Sequence, residues 1–191
     1  MIAEILLQRT KAKSVVGVFN RFIATYPTPA GLAAASTEKI GEIIYPLGLK
    51  WRAPLLKQLG ERLDALGGTP PETLAELLSL PAVGPYAAAA YLSFHAKRHG
   101  TIIDANVVRW LCRMVDRPMD GETRREKWLI ALAESLTPKR KAGEYNYAIL
   151  DFSMQICAKR PKCEQCPIGP KYCAYAQQTL KFNRDRLTGD V

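Results

Sequence analysis

Apolar residues recur every three to four positions along most of this chain. No stretch alternates apolar and polar residues for long enough to predict a strand, so the pattern is that of packed helices. The stretch AKSVVGVFNRFIATY (12–26) repeats this way until Pro27 stops it, and WRAPLLKQLGERLDAL (51–66) does the same. Pro54 is tolerated in the second helix because it falls in the first turn, where amide hydrogens have no helical partner. PETLAELLSL (71–80) predicts a helix headed by its proline. Further helices are predicted over about 85–97, 104–116, 122–136 and 143–156. HAKRHG (95–100) is a polar break between two long helices and the expected seam between lobes, while NRDRLTGDV (183–191) reads as a frayed tail. There is no internal repeat and no low-complexity tract.

Composition narrows the partners. A chain of 191 residues makes one large domain or two small lobes, and 48% hydrophobic content marks it as folded. Its net charge of +9 favours a polyanionic partner, either nucleic acid or an anionic membrane surface. No apolar run reaches the length of a membrane span. The opening MIAEILLQRT carries Glu4 and Arg9 inside its apolar run and has no small-residue cleavage site, so it does not read as a signal peptide.

Without a secretory signal a reducing compartment is expected, and there disulfides are rare. That bears on the five cysteines, four of which fall within residues 157–173 in the spacing C-x5-C-x2-C-x6-C. Four thiolates suit a tetrahedral zinc or an iron–sulfur cluster. A zinc knuckle is built from two short C-x2-C pairs, whereas this loop has one such pair flanked by Cys157 and Cys173, a pattern that suits a cluster better. Cys112, at helical spacing in VVRWLCRMV, reads as a small core residue. Around the four thiols stand Lys159, Arg160, Lys162 and Lys171 against one acid, Glu164. A merely soluble surface does not require such concentration.

A second informative stretch is LPAVGPYAAAAYLSF (80–94), two helical runs joined by a proline–small–valine–glycine turn. Such a turn leaves the first amide hydrogens of the following helix pointing outwards, which suits one phosphate. Taken alone it is a weak motif, since any tight helical hairpin can contain it.

The combination of LPAVGPYAA, IIDANVVRW further on and the terminal four-cysteine loop resembles the helix-hairpin-helix DNA glycosylases of the endonuclease III and MutY type. The resemblance extends over nearly the whole chain, including EILLQRT at the start and PLGLKWRA at 46–53. It implies an all-α, two-lobed fold that grips double-stranded DNA across a cleft. A helical barrel lobe (1–99) would carry the helix-hairpin-helix motif at about 72–97, and a second lobe (100–191) would hold a [4Fe-4S] cluster on Cys157, Cys163, Cys166 and Cys173. The family's usual cysteine spacing is x6-x2-x5. Here the total span is equal but the first loop is one residue shorter, and the cluster is still expected to form.

Site residues follow from the same resemblance. Asp104 matches the catalytic aspartate that stabilises an oxocarbenium-like sugar; read by itself it is the N-cap of the next helix, and the two roles are compatible. Glu4 matches the glutamate that in MutY protonates the departing base. Tyr86 stands where bifunctional members have an attacking lysine, so the enzyme should be monofunctional, with water as nucleophile. Gln8 matches the plug that enters the base stack and Leu49 the opposing wedge. Ala82, Val83 and Gly84 supply the hairpin, with alanine where the family has glycine; a positive φ there would strain Ala82. Lys159, Arg160 and Lys162 in the cysteine loop present charge to the DNA backbone.

The target base follows from two further features. MutY-type enzymes read Asp-Gly-Asn at the catalytic aspartate and carry an additional C-terminal domain, whereas this chain reads Asp104-Ala105-Asn106 and stops shortly after its cysteines. It is therefore more similar to the thymine/uracil–DNA mismatch glycosylases acting on G·T and G·U pairs. Adenine removal is the alternative, and a non-catalytic DNA-binding iron–sulfur protein is the alternative of another class. Family members begin a helix or more upstream of AEILLQRT. Here Met1 stands nearly on the motif, so either the start lies further upstream or the cluster lobe is less covered than usual. The expected setting is a monomer on nucleoid DNA in the cytoplasm, with no membrane association.

Overall fold

The computed structural model describes residues 1–8 and 10–188, with side chains through residue 181. Among the described residues every regular element is helical, and no helix is long and apolar enough to cross a membrane. The chain divides into two compact units, Met1–Gly100 and Thr101–Val191.

In the first unit, α1 (Ile2–Leu7), α2 (Ala12–Thr25), α3 (Pro29–Ala33), α4 (Thr37–Ile44) and α5 (Ala53–Ala65) enclose one core. Its floor is Ile5, Leu6, Phe22, Ile40, Ile44, Leu56 and Leu59, each almost wholly withdrawn from water. Each such side chain contributes about 1.5–3 kcal/mol relative to exposure. The two short helices start on sequence-encoded caps. Thr28 Oγ1 accepts the Gly31 amide at 3.1 Å, and Ser36 Oγ accepts the Lys39 amide at 3.3 Å. Gly60 lets α5 lie against α3, because a Cβ there would come within 2.8 Å of the Ala33 amide nitrogen.

The proline-headed helix expected from 71 is shorter than its pattern. Pro70 and Pro71 stay outside, and α6 (Leu74–Leu78) begins at Thr73, whose hydroxyl accepts the Glu76 amide at 3.3 Å and donates to the Glu76 carboxylate. This Thr-x-x-Glu box satisfies the first-turn donors better than a proline could. After the hairpin, α7 (Pro85–Ala90) passes into a π-helical turn, Tyr91–His95. The unit closes at Gly100, where a Cβ would sit 2.5 Å from the Ala89 carbonyl oxygen.

In the second unit α8 (Ala105–Met114) packs against α9 (Lys127–Leu136), α10 (Ala142–Gln155) and, after the short α11 (Gly169–Tyr172), against α12 (Ala174–Thr188). The core here is Val107, Val108, Trp110, Leu111, Cys112, Leu129 and Ala133, with Phe152 edge-on to Trp110 at 5.9 Å. Cys112 is thus the core residue its spacing predicted, and burial pushes its thiol pKa up.

Two expectations are corrected in this unit. The helix predicted over 122–136 is broken at Glu126, whose extended backbone separates the single turn Thr123–Arg125 from α9. Asp120 fixes the start of that turn: its Oδ1 accepts the Glu122 and Thr123 amides and the Thr123 hydroxyl at 2.8–2.9 Å. The tail expected to fray from 183 continues as α12 to Thr188, and the rest of it, 189–191, lies outside the described residues.

Candidate functional site

Glu4 lies in the first turn of α1 and is only 8% exposed. Burial pushes its carboxyl above the usual range, and the nearby chain amino group together with the Tyr86 hydroxyl pull it partly back. That hydroxyl donates to the carboxylate from the first turn of α7, so two of the expected catalytic residues meet in one unit. A buried carboxyl that holds its proton to higher pH suits a general acid. Gln8 follows at the C-terminal end of α1, half-buried, with extended backbone.

Leu49, the expected wedge, has its side chain in the core in this DNA-free structure. It is 5% exposed and belongs to the same buried cluster as Ile5, Ile44 and Ala53. The left-handed Gly48 (φ 69°) turns the chain immediately before it. The large hydrophobic side chains that this loop does present are Tyr45 and Trp51, 68% and 62% exposed.

In the hairpin, Leu80 and Val83 are buried and hold the turn down, with the Val83 amide on the Leu80 carbonyl at 3.2 Å. Ala82 has φ of 62°, the left-handed region in which alanine carries strain of about 1–2 kcal/mol. Gly84 caps α7 with extended backbone, and nothing lies within 4 Å of the place a Cβ would take. An approaching group therefore meets bare backbone at the start of α7.

Asp104 caps α8. Its Oδ1 accepts the amides of Asn106 and Val107 at 2.9 and 2.7 Å, and its Oδ2 accepts the Asn106 side-chain amide at 2.8 Å. Asn106 in turn accepts Arg109 Nη1 at 3.1 Å. The Arg109 guanidinium continues to the carbonyls of Ser153, at 2.7 Å, and Cys157, at 3.0 Å. One turn on, Arg113 donates to the carbonyls of Ala158 at 2.6 Å and Lys159 at 2.9 Å, and its Nη1 lies 3.5 Å from Cys157 Sγ. A continuous chain of hydrogen bonds thus runs from the cap carboxylate to the first cysteine of the loop.

Cys157, Cys163, Cys166 and Cys173 line one cavity of about 20 Å³, beside Trp110 and Arg113. Among the described residues no three His, Cys, Asp or Glu side chains converge as ligands of a single ion. The thiols sense one another: burial, then the neighbouring cysteines, push the Cys163 thiol up, and burial does the same at Cys173. Trp110 is 5% exposed, yet its Nε1 has no hydrogen-bond partner among the described residues, leaving one donor unsatisfied at the edge of this cavity. Gly169 fits under the loop because a Cβ there would come within 3.3 Å of Cys166 Sγ. Lys159, Arg160 and Lys162 are all exposed.

Three participants escaped the sequence reading: Asn106, Arg109 and Arg113. The signal for the arginines was present as an i, i+4 pair on the helix after Asp104, but their targets lie 44–48 residues further along the chain.

Comparisons with known proteins agree with this geometry. The model of the HhH-GPD superfamily base excision DNA repair proteins matches residues 2–146. A protein of Pyrobaculum aerophilum named thymine/uracil-DNA glycosylase is 38% identical over 186 residues, covering 93% of this chain and 80% of its own. The adenine DNA glycosylase of Homo sapiens is 32% identical over 173 residues, covering 87% of this chain but 31% of its own. The solved structure of a thermostable thymine-DNA glycosylase superposes with a TM-score of 0.82 at 34% identity, covering 93% of this chain and 82% of that one. With its short-turned hairpin at 80–85 and its aspartate-capped helix from 104, the chain belongs to the HhH-GPD superfamily of base excision DNA repair proteins.

Proposed function

We propose that this protein hydrolyses the N-glycosidic bond of thymine or uracil mispaired with guanine in duplex DNA, releasing the base and leaving an intact abasic site. The observation that carries this reading is Asp104. It is a half-buried carboxylate fixed by three hydrogen bonds at the start of α8, so it needs no reorganisation when positive charge develops on the sugar. Glu4 delivers a proton to the departing base, held above the ordinary carboxylate range by burial. Water, oriented by Asp104, adds to the sugar carbon. No lysine stands at residue 86 to make a Schiff base, so the backbone is not cut and the product breaks only in hot alkali.

The thymine/uracil relative supports the target base, as does Ala105 between Asp104 and Asn106. Incubation with duplexes bearing G·T, G·U, A·G or A·8-oxoguanine tests it: abasic sites form at G·T and G·U. Release of adenine alone would overturn the assignment, and no release from any duplex would favour a non-catalytic DNA binder.

The cysteine loop fits an iron–sulfur cluster better than a zinc ion. One C-x2-C pair flanked by single cysteines is not the two-pair arrangement of a zinc knuckle, and the four thiols line one cavity with Trp110. Cys157, Cys163, Cys166 and Cys173 would hold a [4Fe-4S] cluster, which when bound cross-links a loop too short to build its own core. Lys159, Arg160 and Lys162 then stand on a fixed loop as contacts to DNA phosphates, and the bare backbone of Ala82–Gly84 takes another. The protein works as a monomer on DNA in the cytoplasm.

Two predictions arise here. Lys162→Ala weakens binding to matched and mismatched duplexes alike and lowers the salt slope by about one, because a phosphate contact carries no sequence information. Fluorescence anisotropy across a salt series reads it, and selective loss for mismatches would remove Lys162 from the phosphate contacts. Tyr86→Phe takes a donor from the Glu4 carboxylate, so the Glu4 pKa rises further and the general acid stays protonated to higher pH. The alkaline limb of single-turnover base release moves to higher pH. A limb that stays put or moves down would show that Glu4 is not the acid being titrated.

A further inference from the structure

Leu49 is where the resemblance puts a wedge, but its side chain is in the core. The loop around it has another arrangement. Gly48 in the left-handed region separates two single 3-10 turns, Tyr45–Leu47 and Lys50–Arg52. Leu49 and Arg52 point inwards and anchor the second turn, while Lys50 and Trp51 point to solvent.

Trp51 is exposed without being loose. The guanidinium carbon of Arg52 lies 4.8 Å from the centre of its ring, and Arg52 is itself buried, with Nη1 donating to the Ile5 carbonyl at 2.6 Å. That carbonyl is on α1, next to Glu4. The ring is therefore braced through a fixed cation to the helix that carries the general acid and, at its end, Gln8. A large exposed indole held in this way is preorganised for stacking: its ordering cost is met before a ligand arrives. Beside it lies an open depression of about 420 Å³, walled by Ala53 and Pro54 and edged by Thr37, Glu38 and Lys50. Apolar walls with a polar edge suit a flat heteroaromatic ring, and Lys50 supplies charge for the phosphate attached to it.

We propose that Trp51 is the surface on which an unpaired base of the DNA stacks once the target nucleotide has left the helix, so that in this protein the indole takes the part expected of Leu49. The inference rests on the DNA glycosylase reading. Stacking of a base on an aromatic side chain is sequence-tolerant, and removing the ring costs roughly five- to a hundredfold in affinity. It also discriminates a distorted duplex from an intact one, because paired bases are already stacked and gain nothing from the indole.

The test uses the full chain and a duplex in which 2-aminopurine stands opposite a stable abasic analogue, a ligand that does not need turnover. The wild type prefers this duplex over a matched one and quenches the 2-aminopurine emission. Trp51→Ala loses roughly five- to a hundredfold of affinity for the lesion duplex, restores the emission, and leaves the matched duplex nearly unchanged. Trp51→Phe keeps most of the affinity and quenching, whereas Trp51→Leu, apolar but not aromatic, behaves as the alanine variant. Thermal unfolding by circular dichroism checks that each variant is folded, and the phenylalanine–leucine comparison stands even where alanine does not fold. Equal loss for both duplexes would make Trp51 an ordinary backbone contact and overturn the proposal. So would unchanged affinity and quenching in Trp51→Ala, or a change of sedimentation showing that the ring covers a second copy of the chain. A wild type without preference for the lesion duplex would instead count against the glycosylase reading itself.

Discussion

Asp104→Asn lowers base release from G·T and G·U duplexes by about a hundredfold or more while binding to the same duplexes is largely kept. The asparagine oxygen still accepts the Asn106 and Val107 amides, so the cap on α8 survives. What goes is negative charge beside the sugar, and losing one preorganised electrostatic interaction in the transition state typically costs on the order of 10²–10³ in rate. There is also a local cost. Oδ2 now accepts the Asn106 side-chain amide, and an asparagine nitrogen in its place sets donor against donor. Asn106 is not free to turn over, because its own oxygen accepts Arg109. One hydrogen bond of about 1 kcal/mol is therefore lost, enough to lower the melting temperature slightly but far below the catalytic effect. Single-turnover rates on each mismatch, with affinities measured separately, distinguish the two. Near-wild-type turnover would reduce Asp104 to a cap and move the search for the catalytic carboxylate to Glu4.

The second large effect is expected at the cysteine loop. Prepared without oxygen, the protein is brown and holds about four iron atoms per chain, and Cys163→Ser loses both the colour and the iron. Between 157 and 173 only Cys157, Gly169 and Cys173 are buried, so little else closes this segment. Without its cross-link the loop opens, and trypsin cuts rapidly after the exposed Lys159 and Lys162. The pairing of Tyr86 with Glu4 lies in the first unit and persists, so damage to the second unit precedes any change in the pH dependence of the acid. A colourless preparation with one zinc per chain would overturn the cluster, as would a Cys163→Ser protein that retains its iron.

The features legible in the sequence were those whose physics is local. The aspartate before ANVVRW reads as a cap because the donors it meets are the amides two and three residues on. The turn between Leu80 and Pro85 reads as a hairpin from its residue types, and the left-handed Ala82 followed from comparison with a glycine pattern. Thr73 with Glu76 is equally local, but Pro71 just before it carries a competing helix-start signal. The break at Glu126 leaves no mark in the pattern, because residues 120–127 (DGETRREK) carry no apolar side chain whose spacing could show it.

Residue types and spacing by themselves determined the helical class, the cap at Asp104, the hairpin, and the gathering of four thiols within one loop. Which way Leu49 and Trp51 face was decided only by tertiary packing, since one turn of 3-10 helix has no periodicity from which to read a buried side. The same holds for Glu4, whose raised pKa comes from being covered and from a hydroxyl some eighty residues away in the chain. Arg109 and Arg113 show the reason most directly. A guanidinium on a helix surface carries no mark of its partner, and only the fold brings the carbonyls of Ser153 and Cys157 within hydrogen-bond reach.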